Sequence, residues 1–397
     1  MIQEKLIAEI CDDEIQYAVF QADEKLNCKI LTKIISKNPG INKEKIFDMS
    51  LASKRINEDI KNIEKKVDKV FRNVTIVLNQ KDFLCTNLTG FKKLNGSKVE
   101  KRDLDYILNE GKISIINDQE KNSIIHILNS YFILDKIKQD KVPLNIFGDH
   151  LSLHMTFISL SKNNLKNLNY LFSGSDLKVE RVINKSFAFG IDLINKKRNL
   201  KNFTLINMGK ELSTISIYEN SSLVFLKTFN FGTNMIYRDI TQLCSLQKDE
   251  VDMIMQEIDV TNLSQDIKYL DKKYFFKSDF TKISKVHLKD IINTRIDEML
   301  NYLFGETKNF ENLNSKNSNI NIFFDDETVY KNLSKLFKKI SISKINRPEM
   351  NFSYNSSFSS LEGAAELIFK GWHSEAIPLN IKKKSMISAF FSHFFKQ

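Results

Sequence analysis

A lone glycine, Gly209, lies in the most chemically suggestive part of this sequence. It separates two apolar stretches, 203–208 and 212–218, and Lys210 follows it directly. A glycine turn between two strands exposes backbone N–H groups, and a neighbouring lysine adds a positive charge. Backbone amides and a cation are the groups that bind phosphate. The sequence therefore raises the question of whether this turn is a phosphate-binding loop.

The residues after this turn predict the elements that would hold it. Stretch 212–218 alternates apolar and polar residues, and a polar tetrad separates it from a third apolar run, 223–231. Gly232 then precedes a helical pattern with three apolar residues, Ile236, Ile240 and Leu243. The predicted order is strand, tight turn, strand, polar turn, strand and helix.

Two histidines, His150 and His154, have a spacing that would bind a metal ion if they lay on a helix. Stretch 150–158, however, alternates polar and apolar residues and therefore predicts a strand. On a strand the two rings would lie about 13 Å apart, at ~3.3 Å per residue. We therefore predict no metal site there.

Composition limits the class of protein. A chain of 397 residues with 42% hydrophobic and 27% charged residues predicts a folded protein with two or more subdomains. No apolar run approaches the roughly 20 residues that span a bilayer, and the N-terminus does not resemble a secretory signal, so we expect an intracellular protein. The net charge is +10, but lysine and arginine alternate with acidic residues, and we expect no nucleic-acid partner.

Glycine and cysteine usage excludes several kinds of site. The 12 glycines include no GG or GxG, which excludes dinucleotide-binding fingerprints and P-loops. Four widely separated cysteines are predicted to be reduced, partly buried thiols: Cys11, Cys28, Cys85 and Cys244.

Hydrophobic periodicity predicts an alternation of strands and helices along the whole chain. The predicted strands outside the Gly209 region are 4–10, 15–20, 26–35, 74–78, 83–89, 150–158, 177–182 and 319–324. The predicted helices are 51–71, 101–108, 163–173, 185–194, 249–258, 286–303, 327–340 and 361–369. The apolar stripe of the first helix comprises Ile56, Ile60, Ile63, Val67 and Val70. Residues 113–116 and 124–134 are further apolar segments, and 345–359 is predicted to be a loop.

The last 13 residues, 385–397, predict an amphipathic helix. Its apolar face comprises Met386, Ile387, Phe390, Phe391, Phe394 and Phe395. Three lysines, Lys382, Lys383 and Lys384, precede it in a polar linker, 372–384. Lysines beside an aromatic helix that is too short to span a bilayer predict a helix lying in the plane of an anionic membrane surface. A core helix is the alternative interpretation.

Taken together, these segments resemble the FtsA family of bacterial cell-division proteins, over essentially the whole chain. The resemblance lies in the Gly209 hairpin, the turn 231–233 leading into Tyr-Arg-Asp-Ile, the acidic pair 249–250, the segment 291–300 and the segment 357–363. The inserted α+β region, 85–159, and the amphipathic tail are further points of similarity. The order and spacing of these segments support the resemblance more than any single match.

The resemblance implies an α/β, actin/Hsp70-like two-lobed fold with an FtsA-type inserted α+β subdomain and a C-terminal amphipathic helix. The implied subdomains are 1A (1–84, 160–202 and 345–371), 1C (85–159), 2A (203–244 and 304–344) and 2B (245–303). They are followed by the linker and the membrane-targeting helix.

The resemblance also implies the partners of an adaptor. These are the C-terminal peptide of FtsZ, further copies of the chain in an actin-like filament, an anionic membrane surface and later division proteins. By position, Arg295 and Glu298 are the candidate contacts for the FtsZ peptide, and an ordinary charged pair on a helix is the alternative. The implied location is the cytoplasmic side of the bacterial inner membrane at the division site.

The expected nucleotide site departs from the family pattern at each of its loops. The first hairpin has Glu9 and the sequence Ile-Cys-Asp-Asp-Glu where the family has an aspartate followed by glycine and hydroxyl residues. Asn207 replaces the aspartate of the second hairpin, and Phe324-Asp325-Asp326 replaces the adenosine-side glycine pair. Gly209, Lys210 and Gly232 are the remaining candidate nucleotide-binding residues. An amide cannot orient Mg²⁺ and water as a carboxylate does, and we expect no ATP hydrolysis, although Lys210 could still reach a phosphate.

The sequence is also compatible with two other functions. One is an active actin-fold ATPase with unusual loops. The other is a platform protein of pilus assembly similar to PilM. Two features argue against this second function: the amphipathic tail and the helix 286–303.

Overall fold

The computed structural model describes residues 3–197, 200–258, 269–305, 319–345, 350–355 and 358–376. The chain divides into two compact units. Unit 1 comprises Met1–Asn202, Ser216–Thr228 and Phe358–Gln397. Unit 2 comprises Phe203–Ile215 and Phe229–Ser357.

The described residues alternate between strands and helices in chain order. The strands are β1 (Gln3–Ile10), β2 (Glu14–Ala22), β3 (Cys28–Lys37), β4 (Ile41–Asn42), β5 (Lys45–Ile46), β6 (Asn73–Leu78), β7 (Leu84–Lys93), β8 (Asn122–Leu134), β9 (Ile137–Gln139), β10 (His150–Ser161), β11 (Lys178–Asn184), β12 (Phe203–Met208), β13 (Ser213–Glu219), β14 (Ser222–Phe229), β15 (Asn319–Phe324), β16 (Met350–Tyr354) and β17 (Glu375–Ala376). The α-helices are α1 (Met49–Val67), α2 (Lys101–Asp118), α3 (Lys162–Ser173), α4 (Lys185–Lys196), α5 (Asn234–Cys244), α6 (Lys248–Glu257), α7 (Lys285–Gly305), α8 (Glu327–Ile345) and α9 (Ser359–Phe369).

The first sheet has the strand order β11-β6-β1-β2-β3. β1 pairs antiparallel with β2 and parallel with β6. Its last five residues are all buried, as expected for a central strand that is covered on both faces. The predicted opening hairpin is thus confirmed, with the turn closed by a 2.9 Å hydrogen bond from Cys11 N–H to the Glu14 carbonyl.

Helix α1 ends earlier than the sequence predicted. Ile56, Ile60 and Ile63 are buried as expected, but the helix stops at Val67. Asp68 adopts a left-handed conformation (φ 54°) and caps the helix, which leaves Val70 65% exposed. The prediction that the apolar stripe continues to Val70 was therefore wrong, because the left-handed residue turns the chain away.

The inserted region folds around a second sheet, with the order β17-β8-β10-β7 and β9 beside β8. Helix α2 packs on this sheet and continues to Asp118, so the predicted break after residue 108 is absent. Gly111 faces the sheet, where a Cβ atom would lie 2.9 Å from Met155 Cε and 3.2 Å from Phe157 Cζ. β10 alternates as predicted, with Leu151, Leu153 and Met155 in the core.

The third sheet has the order β14-β13-β12-β15-β16. The predicted strands around Gly209 are confirmed, and β12 is buried along its whole length. β16 lies in the segment that the sequence predicted to be a loop, and it pairs parallel to β15. Of the three predicted apolar residues of α5, Ile236 and Ile240 are buried, whereas Leu243 is 63% exposed.

Candidate functional site

Glu9 of the first predicted phosphate hairpin forms an ion pair with Lys185 of helix α4. Glu9, at the end of β1, is only 2% exposed, and its Oε1 lies 3.0 Å from Nζ of Lys185. The hydroxyl of Ser360 donates to the other carboxylate oxygen. The Cys11 thiol lies 3.6 Å from Oε1, and burial raises the pKa of this thiol well above its usual range. The charge of Glu9 is therefore balanced by Lys185, and its second oxygen is bonded to Ser360, within unit 1.

In unit 2, the turn after β12 is held by its own backbone. Gly209 N–H donates to the Leu212 carbonyl at 3.0 Å. Gly232 lies against the same turn, because a Cβ atom at Gly232 would be 2.3 Å from the Lys210 oxygen and 2.4 Å from the Gly209 oxygen. A Cβ atom at Gly209 would likewise be 2.5 Å from the Leu212 oxygen, so neither position accommodates a side chain.

The N-terminus of α5 is satisfied by this turn. Thr233 N–H donates to the Gly209 carbonyl and Asn234 N–H to the Lys210 carbonyl, each at 2.9 Å. Met235 and Ile236 N–H groups donate to carbonyls of the preceding turn at 3.0 and 3.1 Å. The free N–H groups of a helix N-terminus are what makes it an anion site. In this chain the first N–H groups of α5 already donate to backbone carbonyls.

Asn207 takes part in an amide–carboxylate cluster. Its Nδ2 donates to Asp325 Oδ2 at 2.9 Å, and Asn355 Nδ2 donates to Asp325 Oδ1 at 3.0 Å. Asp325, which replaces an expected glycine, thus has an amide donor on each oxygen. An aspartate at position 207 would repel it, so the asparagine and Asp325 are mutually consistent replacements.

The charges near Lys210 are predominantly negative. Lys210 is half-exposed, and its Nζ lies 3.9 Å from Asp326 Oδ2. Glu211 accepts hydrogen bonds from Arg238 at 2.6 Å and Asn234 at 2.9 Å. Burial raises the pKa of Tyr237, and the charges of Asp326 and Asp252 raise it further. These residues do not fit Mg-ATP, because acidic groups outnumber the cations that a triphosphate needs.

Arg295 and Glu298, the candidate partner contacts, lie together on α7 with a third residue from α5. Arg295 Nη1 donates to Glu298 Oε2 at 2.6 Å, and Nη2 donates to Asp239 Oδ1 at 3.0 Å. A further hydrogen bond runs from Arg295 Nε to Asp239 Oδ2, which makes the Asp239 contact bidentate. The sequence indicated Arg295 and Glu298 but missed Asp239, although Asp239 belongs to the Tyr-Arg-Asp-Ile segment that signalled the resemblance.

Glu250 is a second residue whose role the sequence did not reveal. It is fully buried at the start of α6 and accepts hydrogen bonds from the N–H groups of Gln247, Lys277 and Ser278 at 2.6–2.9 Å. Burial raises the pKa of Glu250, but hydrogen bonds from Ser278 and these amides outweigh it and lower the pKa to about 2. The capping-box spacing from Gln247 to Glu250 was the available signal.

The predicted membrane residues lie outside the described residues. They are Lys382, Lys383, Lys384, Met386, Ile387, Phe390, Phe391, Phe394 and Phe395. None of the helices in the described parts of the chain combines the length and the hydrophobicity of a bilayer-spanning segment. Across the residues that the structure describes, no three histidine, cysteine, aspartate or glutamate side chains are clustered so that they could hold a metal ion. His154 stacks on Tyr131, with ring centroids 4.2 Å apart.

Comparison with known proteins identifies relatives of this chain. No protein-family model matches it. The FtsA cell-division protein of Borreliella burgdorferi is 22% identical over 218 residues, which cover 54% of this chain and 52% of that protein. The FtsA of Neisseria meningitidis serogroup B is 19% identical over 289 residues, covering 72% and 69%. The chain thus spans about half the length of the first of these relatives.

A solved structure of similar fold is the PilM–PilN type IV pilus biogenesis complex. It has a TM-score of 0.57 and 10% identity, and covers 92% of this chain and 96% of that chain. At this identity the likeness shows the fold alone. The comparisons confirm the predicted resemblance to FtsA and the predicted actin-like α/β fold.

Proposed function

We propose, from the confirmed resemblance to FtsA, that this actin-like protein is a cell-division adaptor that tethers FtsZ filaments to the cytoplasmic face of the bacterial inner membrane. The observation that carries the proposal is the set of curated relatives, which carry the name FtsA and match up to 72% of the chain. The proposal includes self-assembly into actin-like filaments and recruitment of later division proteins. Electron microscopy of the full chain on an anionic lipid monolayer tests self-assembly, and the absence of filaments at high protein density would contradict it.

The proposed adaptor does not hydrolyse ATP. Three observations support this: Glu9 is paired with Lys185, the amides that begin α5 are bonded to the Gly209 turn, and Asn207 replaces a carboxylate. Titration calorimetry with Mg-ATP and an assay of phosphate release provide the test. Tight binding with measurable turnover would overturn this part of the proposal and favour the alternative of an active ATPase.

The proposed contact with the FtsZ C-terminal peptide involves Arg295 and Glu298. Arg295 is already oriented by Asp239, and Glu298 beside it is about half-exposed. We expect Arg295→Glu to reduce capture of the immobilised peptide about tenfold or more. Arg102→Glu, a change at a strongly exposed arginine on α2, is the control and should leave capture unchanged. Equal capture by both variants would contradict the assignment, and no capture by the unaltered chain would favour the PilM-like alternative.

The proposed membrane attachment rests on the sequence pattern of residues 382–395. Deletion of residues 385–397 should release the protein from anionic liposomes in a flotation assay. The double variant Phe391→Ser with Phe394→Ser keeps the length of the helix and the three lysines before it. It should also be released from the liposomes. Undiminished binding of both variants would contradict peripheral attachment through this helix.

A further inference from the structure

A groove with a volume of about 640 Å³ runs between α7 and α8 in unit 2. Its lining from α7 is Lys289, Asn293, Thr294 and Asp297. Its lining from α8 is Lys335, Leu336, Lys339, Ile340 and Ser343. Most of these residues recur at intervals of four, so each helix contributes one continuous stripe.

The floor of the groove is apolar and its rim is basic. Leu336 is 7% exposed and Ile340 is half-buried, whereas Lys335 and Lys339 are exposed on the rim. Lys289 faces them from α7. Within the described part of the chain, none of these three lysines forms an ion pair with a carboxylate. Among the described residues of the lining, Asp297 is the one carboxylate, and it accepts a hydrogen bond from Asn301 Nδ2 at 3.0 Å.

Arg295 of the proposed FtsZ contact points to a different side of α7 from this groove, whereas Glu298 lies one helical turn beyond the lining residue Thr294. Arg295 is two residues from both Asn293 and Asp297, and residues two apart on a helix point in different directions. The bond from Arg295 to Asp239 directs its side chain towards α5, whereas the groove is bounded by α8. Substitutions of Arg295 on α7 and of Lys339 on α8 therefore change different surfaces and can be tested separately.

We propose that the α7–α8 groove binds an acidic peptide segment of a partner protein, with an apolar side chain of that segment seated over Leu336 and Ile340. Charge complementarity supports this occupant, because the described lining has three lysines and one carboxylate. The apolar floor favours a peptide rather than a small anion as the occupant of the groove. A small anion would leave the apolar surface in contact with water, whereas an apolar side chain of a peptide would cover it. This site goes beyond the proposed function and does not depend on it.

The probe is a fluorescein-labelled hexapeptide that contains two leucines and four acidic residues, glutamate and aspartate. It is titrated with the full chain, and binding is followed by fluorescence anisotropy. Two further peptides separate the contributions: one with alanine in place of leucine, and one with lysine in place of the acidic residues. The test variant is Lys339→Glu. The matched control is Lys338→Glu, since Lys338 is the next residue of α8 and is exposed, but does not line the groove.

We expect Lys339→Glu to weaken binding of the acidic leucine peptide roughly three- to tenfold, and Lys338→Glu to leave it unchanged. The alanine peptide should bind more weakly, and the lysine peptide should not bind. Equal effects of the two variants, or equal binding of the leucine and alanine peptides, would overturn the proposal. Stronger binding of inorganic polyphosphate than of the peptide would also overturn it.

Two cross-tests separate this proposal from the FtsZ proposal. Lys339→Glu should leave capture of the FtsZ peptide unchanged, and Arg295→Glu should leave binding of the acidic hexapeptide unchanged. Loss of FtsZ-peptide capture in Lys339→Glu would show that the groove is the FtsZ site and would overturn the proposal of a second site. Failure of the unaltered chain to capture the FtsZ peptide, with the hexapeptide result as expected, would contradict only the adaptor proposal.

Discussion

Nδ1 of His126 lies 2.6 Å from Oε1 of Glu375, and both side chains are fully buried. Arg181 Nη2 donates to the same oxygen at 2.6 Å, and the Asn184 N–H donates to His126 Nε2 at 3.0 Å. Because Nε2 accepts, Nδ1 must carry the proton, and His126 is a neutral donor to Glu375. This network fixes β17, so the start of the predicted linker (372–384) is attached to β8 in unit 1.

Replacement of Glu375 by glutamine should destabilise unit 1. The change removes the charge that compensates Arg181, which is 14% exposed, and we expect the free energy of unfolding to fall by about 3 kcal/mol. Urea denaturation followed by circular dichroism provides the measurement. Glu180→Gln is the control, because Glu180 forms an exposed pair with Lys5, and that change should cost less than about 1 kcal/mol. Similar losses in both variants would contradict the role of the network.

The same network predicts a dependence of stability on pH. Burial raises the pKa of Glu375, but Arg181 and His126 outweigh it and lower the pKa from 4.5 to about 2. Its contribution is therefore complete above pH 4.5 and is lost as the pH falls towards 2. Burial lowers the pKa of His126 below 6.5, so acidification below that value also favours the unfolded state. Urea midpoints measured across this range should fall less steeply in Glu375→Gln, and parallel curves would contradict the assignment.

Local patterns in the sequence predicted most elements of the fold. The strands and helix around Gly209 follow from alternation and helical spacing, and the two glycines mark the turn and the close approach of α5. β16 was missed because its five residues are a short strand that depends on pairing with β15.

The contacts that define the candidate site could not be predicted in the same way. Glu9 pairs with Lys185 and Glu375 with His126, and these partners are 176 and 249 residues apart in sequence. The spacing of residues in the sequence does not predict which of such distant residues pair, because the folding of the strands into sheets brings them together. The sequence did identify Asn207 and the acidic loop at 325–326, but the mutual hydrogen bond of Asn207 and Asp325 required the structure.

Replacement of Gly232 by alanine should disrupt the Gly209 turn. The added methyl group would overlap two carbonyl oxygens at 2.3–2.4 Å, and backbone atoms cannot move aside as a side chain can. We expect a loss of about 2–3 kcal/mol in unfolding free energy, measured by urea denaturation. Gly305→Ala is the matched control, because no described residue lies within 4 Å of a Cβ atom there. A Gly232→Ala variant as stable as Gly305→Ala would show that the turn tolerates displacement.

Replacement of Asn207 by aspartate should create a repulsive carboxylate pair with Asp325. We expect a loss of about 1–3 kcal/mol at neutral pH, because the change also removes the donor of the 2.9 Å hydrogen bond. A divalent cation could bind between two carboxylates, so Mg²⁺ should recover part of the loss in thermal denaturation. Asn202→Asp is the control, since the side chain of Asn202 accepts a hydrogen bond from Asn220 N–H and an aspartate would keep it. A variant at 207 that is as stable as the unaltered chain would contradict this account of the loop.

Exchange of the charges of Asp239 and Arg295 should separate the structural role of Arg295 from a role in binding. The single change Arg295→Asp places an acidic group against Asp239 and beside Glu298, and we expect a loss of about 1–3 kcal/mol. The double variant Asp239→Arg with Arg295→Asp restores an opposite-charge pair between α5 and α7. It should recover at least about 1 kcal/mol, measured as the coupling energy of a double-mutant cycle.

The FtsZ-peptide pull-down on the same variants then decides the role of Arg295. If Arg295 contacts the peptide, the exchanged variant will be stable and will still fail to capture it. If the exchanged variant captures the peptide as well as the unaltered chain does, Arg295 only joins α5 to α7, and the partner contact must lie elsewhere. An absence of coupling between the two positions would show that the bidentate pair adds little to the stability of unit 2.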